Sequence, residues 1–437
     1  MSEAPRRQSF LAASTTTYAT HLAAAALSLA NVLVVSRALG PVGRGDVAFL
    51  TTIGMLVAYL ANLGINQSNA NLGGTRPELR PSLATNSVVF AALLGAMAAL
   101  VVTGLVALFP GVAGDSSAGL RWLALAAIPA LILQTYLSNL IESDYGFRLT
   151  NLAWLAAPTV NVGVNAGLAA AGVLSVRSAV ATWVAAWALS VAILVAAVAR
   201  GSRFGRPDLG LARSMLGFGL KTHGGRILLV GNYRLDQWLV GTMAGSRELG
   251  LYSVAVAWSE ALFLLPTALV TVQRPDLVRG SRQEAARRSA AAFRVASVLT
   301  AGLGVLLVLA APILCVTIFG EAFRGSIGDL RILAAGGIGI VTLKLLGQAL
   351  TAQRLPLLET AAIAIAFALG IALDLLLIPE HGGGGAALAA TLAYTGGGIV
   401  VAMIFLRALG GRAREFIPRL SDLQQLARRP ARPGTPS

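Results

Sequence analysis

Apolar runs of about 20 residues, each long enough to cross a bilayer, recur along most of the chain and are broken by short connectors of Gly, Pro and Arg. Reading apolar windows against these breaks predicts twelve helices. The first six cover 15–36, 46–66, 84–109, 121–141, 151–173 and 178–199. The second six cover 214–241, 249–272, 291–318, 330–353, 357–378 and 385–407. The pattern predicts an all-α polytopic membrane protein of about 12 transmembrane helices. Its expected organisation is a tail at 1–14, a six-helix bundle at 15–200, a basic linker at 201–213, a second six-helix bundle at 214–407 and a basic tail at 408–437.

Composition strengthens this picture. Hydrophobic residues make up 56% of the 437 positions, charged residues 12%, and mean hydropathy is +0.74; soluble domains carry about 25% charge. The net charge of +15 would suit nucleic acid if it were clustered on one surface. It falls instead in the connectors, so nucleic acid is excluded as a partner. With both termini in the cytoplasm, arginines on the cytoplasmic side outnumber those opposite about three to one, as the positive-inside rule expects. This places the chain in the cytoplasmic membrane with N- and C-termini inside. The first apolar segment is long enough to remain in the membrane, and no small-residue cleavage site follows it.

Several chemistries are excluded by missing residues. Cys315 is the only cysteine, so one chain can form neither a disulfide nor a Cys-based metal site. Three scattered histidines give no metal constellation. No GxxxxGK[ST] phosphate loop is present, and the runs Gly382–Gly385 and Gly396–Gly398 border or lie within helices and follow no strand. Neither a cofactor, a metal nor an enzymatic centre is expected.

The chain also repeats itself. LGPVGRGDVAF (Leu39–Phe49) resembles AGSRELGLYSV (Ala244–Val254) at an offset of 205. Phe109–Pro110 and LRWLA (Leu120–Ala124) match Phe319–Gly320 and LRILA (Leu330–Ala334) at an offset of 210. Two matches in one order argue for duplication of a six-helix unit. An even-numbered unit gives parallel repeats, a transporter plan with its site between the halves.

The seventh segment, KTHGGRILLVGNYRLDQWLVG (Lys221–Gly241), holds Lys221, His223, Arg226, Arg234 and Asp236. An ionised side chain at mid-bilayer costs roughly 2.5–3.5 kcal/mol, so these cannot all face lipid. At about 100° per residue the polar groups share one broad arc, while Gly224, Ile227, Leu228, Gly231, Leu235 and Trp238 form a bare face. Gly224 and Gly231 are expected to admit a neighbouring helix closely. The arc is predominantly positive and suits an anionic ligand, with Arg226 and Arg234 as forked donors and Lys221 and Lys344 as point charges. Arg234 and Asp236 stand about 160° apart, too far round the helix to pair directly. The bland reading is that Lys221 and Arg226 snorkel to the interface and that Asp236 is structural rather than a proton or ion relay. Asp374 and Glu260 are intramembrane acids that could couple a gradient or accept interhelical hydrogen bonds, and neither has an evident partner. His21 reads as a packing residue that could also titrate near neutrality. Asn31, Asn62, Asn161 and Asn165 could meet sugar hydroxyls, or join helices.

Five stretches carry a family resemblance: Ser36–Phe49, Tyr233–Ala255, Leu265–Leu277, Ile318–Leu333 and Leu377–Tyr394. Together they resemble the oligosaccharide/polysaccharide flippases of the multidrug/oligosaccharidyl-lipid/polysaccharide exporter superfamily. The resemblance implies a V-shaped carrier of two lobes. It further implies a lipid-linked (polyprenyl-pyrophosphate) oligosaccharide, moved across the membrane by alternating access for surface polysaccharide biosynthesis. Asp236 matches a recurrent acidic position of the seventh helix, and Gly250–Tyr252 the start of the eighth. The implied partners are a lipid-linked anionic oligosaccharide, membrane lipid, and a polysaccharide polymerase or glycosyltransferases. The alternatives are a multidrug/cation antiporter, for which the first six spans lack a deep carboxylate, and a peptidoglycan-precursor lipid flippase. A glycan polymerase would need a larger outer loop than any present.

Overall fold

The computed structural model describes residues 3–114, 116–201, 203–263, 277, 281–410 and 413–417, without the side chains of 3–15, Arg226 and Ala413. The resemblance stretch at 265–277, apart from Leu277, lies outside the described residues, as does the tail from 418. Every regular element among the described residues is helical. In chain order these are α1 (Glu3–Ala61), α2 (Ile65–Thr75), α3 (Arg80–Leu108), α4 (Ala118–Leu125), α5 (Ile128–Glu142), α6 (Phe147–Ala170) and α7 (Val176–Arg200). There follow α8 (Leu209–Met243), α9 (Gly245–Ser259), α10 (Arg282–Pro312), α11 (Ser326–Ala335), α12 (Gly337–Ala352) and α13 (Pro356–Leu409).

Helices α1 and α13, with 59 and 54 residues, would run about 80–90 Å if straight, nearly three times the hydrocarbon thickness. Each is broken at a glycine. Gly40 takes φ 67 just before Pro41, and Gly382 takes φ 54 shortly after Pro379. Val35 and Val47 then meet in one apolar cluster, and Gly385 lies against the carbonyl of Leu377, so both helices double back as pairs of spans. With these divisions the chain forms the expected carrier of about twelve helices.

The second span differs from the sequence reading. The second helix begins at Pro41 rather than 46, because proline is already set for the first helical turn. It then breaks at Leu63 (φ 50) and Gly64 (φ 71) before α2 resumes. A Cβ on Gly64 would sit 2.2 Å from the Gly219 carbonyl oxygen, so this left-handed turn lets α8 pass at backbone contact.

The internal repeat is structural as well as sequential. Adding 205 to Gly40 gives Gly245, and both take positive φ where a helix starts anew. Adding 210 to Ala126, the break between α4 and α5, gives Gly336, where α11 and α12 bend by 41°.

Ile65, Leu83, Ile128, Tyr136 and Leu194 centre one core in the first lobe. Leu346, Ala349, Val401 and Phe405 centre another in the second. A third cluster joins the lobes, setting Ala48 and Phe49 against Val240, Tyr252 and Leu330. Within a bilayer, association of apolar surfaces gains little from leaving water, so close packing of small residues matters more. Gly45 and Gly250 supply it at the Gly40 end. Their Cβ positions fall 1.7 Å from the Ser246 carbonyl oxygen and 1.9 Å from that of Pro41. Beside them Ser246 Oγ donates to Asp46 at 2.5 Å, and Arg37 donates to the carbonyls of Ile318 and Thr317 at 2.6 and 2.9 Å.

Candidate functional site

Helix α8 positions the candidate site. Its first turn is capped by Asp208, which accepts from the Leu211 amide at 2.9 Å. Asn86 of α3 holds the Asp208 backbone through bonds of 2.8 and 3.1 Å. The helix thus starts fixed to the first lobe and ends within the second.

Two charged side chains of α8, Arg234 and Asp236, turn towards α9 and its continuation. Arg234 pairs with Glu260 at 2.9 Å, and both remain partly accessible at 35% and 42%. The sequence left Glu260 without a partner; the structure supplies Arg234, on a different helix. Asp236 is buried, accepting from the Tyr252 hydroxyl at 2.5 Å and the Gln237 amide at 2.7 Å. Arg234 and Asp236 therefore have separate hydrogen-bonding partners, as their angular separation requires.

Lys344 joins this region from α12. Its Nζ lies 5.1 Å from the Phe263 ring centroid and 5.7 Å from that of Tyr233, within cation–π range. Tyr394 completes the aromatic group, packing on both rings and donating to the Asn232 carbonyl at 3.1 Å.

Arg44 enters from the first lobe. The sequence reading assigned it to a connector; the structure places it inside α1, close enough to Arg234 for their charges to interact. Its Nε is buried with no hydrogen-bond partner among the described residues. Proline at the start of a helix was the signal that could have moved Arg44 into the membrane.

The remaining candidates separate. Lys221 is exposed about a third of the way along α8, and the side chain of Arg226 lies outside the described residues. His223 bonds the Leu60 carbonyl at 3.0 Å, tying α8 to α1. His21 stands edge-on to Trp154 at 5.6 Å. Asn165 donates to Asn31 and Asn161 at 2.8 and 3.1 Å, so these three bind helices to one another. The Asn62 carbonyl accepts from Tyr136 at 2.7 Å. Gly231 meets Phe367, whose ring would lie 2.6 Å from an added Cβ, while Gly224 has open space: the close approach expected at both occurs at one.

Asp374 of α13 is buried and its Oδ1 has no partner among the described residues. It shares a small cavity of about 20 Å³ with Asp236, Asn232 and Gly370. Two carboxylates from different helices, one satisfied and one not, thus line a single space.

A helical chain of repeated bundles with charged side chains enclosed between them has the architecture of a membrane carrier. A family described as "Polysaccharide biosynthesis protein" matches residues 34–328, and the chain belongs to that family. No curated protein matches the sequence. Among solved structures, the chain is similar to an inward-facing multidrug resistance MATE family transporter of the MOP superfamily, with TM-score 0.72 and 14% identity over 88% of this chain and 94% of that one. It is also similar to the lipid II flippase MurJ in an inward closed conformation, with TM-score 0.72 and 12% identity over 92% and 88%. An outward-facing MATE family transporter of the MOP superfamily gives TM-score 0.61 and 13% identity over 92% and 95%. These likenesses establish the shared fold.

Proposed function

We propose that the protein translocates a lipid-linked (polyprenyl-pyrophosphate) oligosaccharide across the cytoplasmic membrane by alternating access. The observation that carries this reading is the gathering of Arg44, Arg234 and Lys344 from both lobes, where Arg234 pairs with Glu260 and Arg44 Nε is buried without a hydrogen-bond partner among the described residues. Cations within a membrane are costly, and an anionic head group such as a pyrophosphate would offset that cost through forked guanidinium contacts. The same cations would repel a cationic drug. Family membership supports a role in surface-glycan assembly, with polymerase or glycosyltransferases acting before or after this carrier rather than within it.

Asp236 and Asp374 serve as the coupling pair in this account. A proton or small cation entering their cavity would satisfy Asp374 Oδ1 and bind α8 to α13. Both termini face the cytoplasm, and the Gly40 end, closed at Gly45 and Gly250, faces outward.

Export of surface glycan in cells dependent on this chain tests the proposal. Arg234→Glu is expected to abolish export at normal protein abundance. Undiminished export by Arg234→Glu and Arg44→Glu alike would overturn it.

A further inference from the structure

The bare face of α8 borders a second space. A groove of about 520 Å³ runs between α1 from Leu50 to Ala61, α3 from Leu94 onward, and Leu235 and Trp238 of α8. From Leu94 to Val106 its α3 wall is about 18 Å long at 1.5 Å per residue. The Trp238 ring is held against this wall by its indole N–H, which donates to the Val112 carbonyl at 3.3 Å. Arg121 is the one charged residue of the lining, at the Phe109 and Val112 end, and its guanidinium donates to the Ser116 carbonyl. Met97, Val101 and Leu105 line the groove and are exposed, so it opens sideways along much of its length.

We infer that this groove holds the hydrocarbon chain of the translocated lipid while its anionic head engages Arg44 and Arg234, an inference that rests on the carrier reading above. Three features select this occupant. An apolar space of this size does not hold ordered water, which needs polar partners. A space running along about 18 Å of α3 fits an extended chain rather than a compact solute. Most tellingly, Leu235 in the groove is the next residue after Arg234 in the charged region, so head and chain would lie on adjacent faces of one helix about 10 Å across. The walls also come from both lobes. A chain seated there binds the two arrangements of the lobes unequally, which is what allows a ligand to shift their balance.

The test uses the full chain with p-benzoylphenylalanine in place of Val101, or in place of Leu376, an exposed position of α13 outside the groove. Each is reconstituted in vesicles of phosphatidylglycerol and phosphatidylcholine containing a small fraction of polyprenyl phosphate, and the adducts formed on illumination are identified by mass. The expected ratio of polyprenyl phosphate to phospholipid adducts at position 101 exceeds that at 376 about tenfold, the effect of burying roughly two further methylenes. Filling the groove with Ala98→Trp should bring the two ratios together. Equal ratios at both positions in the otherwise unchanged protein mean that bulk lipid fills the groove, and overturn the inference. A head-group-labelled substrate followed in the same vesicles separates the two proposals. Equal ratios with intact translocation remove only the groove assignment, whereas enrichment at 101 without translocation removes the carrier reading and leaves a lipid site.

Discussion

Gly45 and Gly250 occupy equivalent positions in the two repeats, and each presses against the backbone of the other repeat, at Ser246 and Pro41 respectively. Those two contact residues are themselves separated by the same offset of 205. The contact is therefore reciprocal, as between subunits of a two-fold dimer, here within one chain. An interface without side chains at its closest points can part and re-form without repacking, which an alternating carrier requires at the end it must open.

Enlarging either glycine should hold that end apart. Gly45→Val or Gly250→Val is expected to cost the closed arrangement roughly 1–3 kcal/mol, or about 5- to 150-fold in population. Labelling of a Ser246→Cys thiol by an impermeant maleimide, with Cys315→Ser to remove the native thiol, should accelerate accordingly. Unchanged labelling would show that the contact does not close the structure.

Removing the partner of Arg234 should expose its charge. Glu260→Gln is expected to tighten binding of an anionic lipid head and Arg234→Ala to weaken it about tenfold or more, since hydrogen bonds to charged groups contribute about 1.5–3 kcal/mol. Titration of the purified protein with polyprenyl pyrophosphate distinguishes the two directions.

The carboxylate pair predicts a loss of coupling rather than of folding. Asp374→Asn keeps the shape of a side chain whose Oδ1 lacks a partner, so the protein should accumulate normally while gradient-driven accumulation of substrate collapses. Tyr252→Phe, which removes the donor to Asp236, should shift the ion or pH dependence of transport without abolishing it. A vesicle assay with imposed sodium or proton gradients reads both.

Gly231 and Gly224 offer a contrast in stability. Gly231→Leu drives a side chain into Phe367 and is expected to destabilise by about 1–3 kcal/mol. Gly224→Leu enters open space and should lie within about 0.5 kcal/mol of the native protein. Thermal unfolding in detergent compares them directly.

Most of the architecture was legible because membrane spans are written in long apolar windows, and the repeat was visible in a few glycine-centred turns. The polar residues of α8 were visible in the sequence, but helical period did not sort their partners: His223 turns to α1, Arg234 and Asp236 to α9 and its continuation, and Gly231 and Leu235 of the bare face line one cavity with Asp236. What escaped was local or tertiary. Arg44 was lost to a connector because the helix was started five residues late, at the first unbroken apolar run rather than at Pro41. The Arg234–Glu260 pair joins helices at positions unrelated by any period. The groove escaped because residues that line an apolar cleft, such as Met97 and Val101, have the composition of residues facing lipid.

The central claim is most directly tested by reconstituting the purified chain in vesicles containing a fluorescent polyprenyl-pyrophosphate oligosaccharide and adding an impermeant quencher. The account predicts that the protected inner pool becomes quenchable in vesicles holding the native protein and stays protected with Arg234→Glu. An inner pool that remains protected with the native protein under imposed gradients of either sign, or that is released equally by Arg234→Glu, would contradict it.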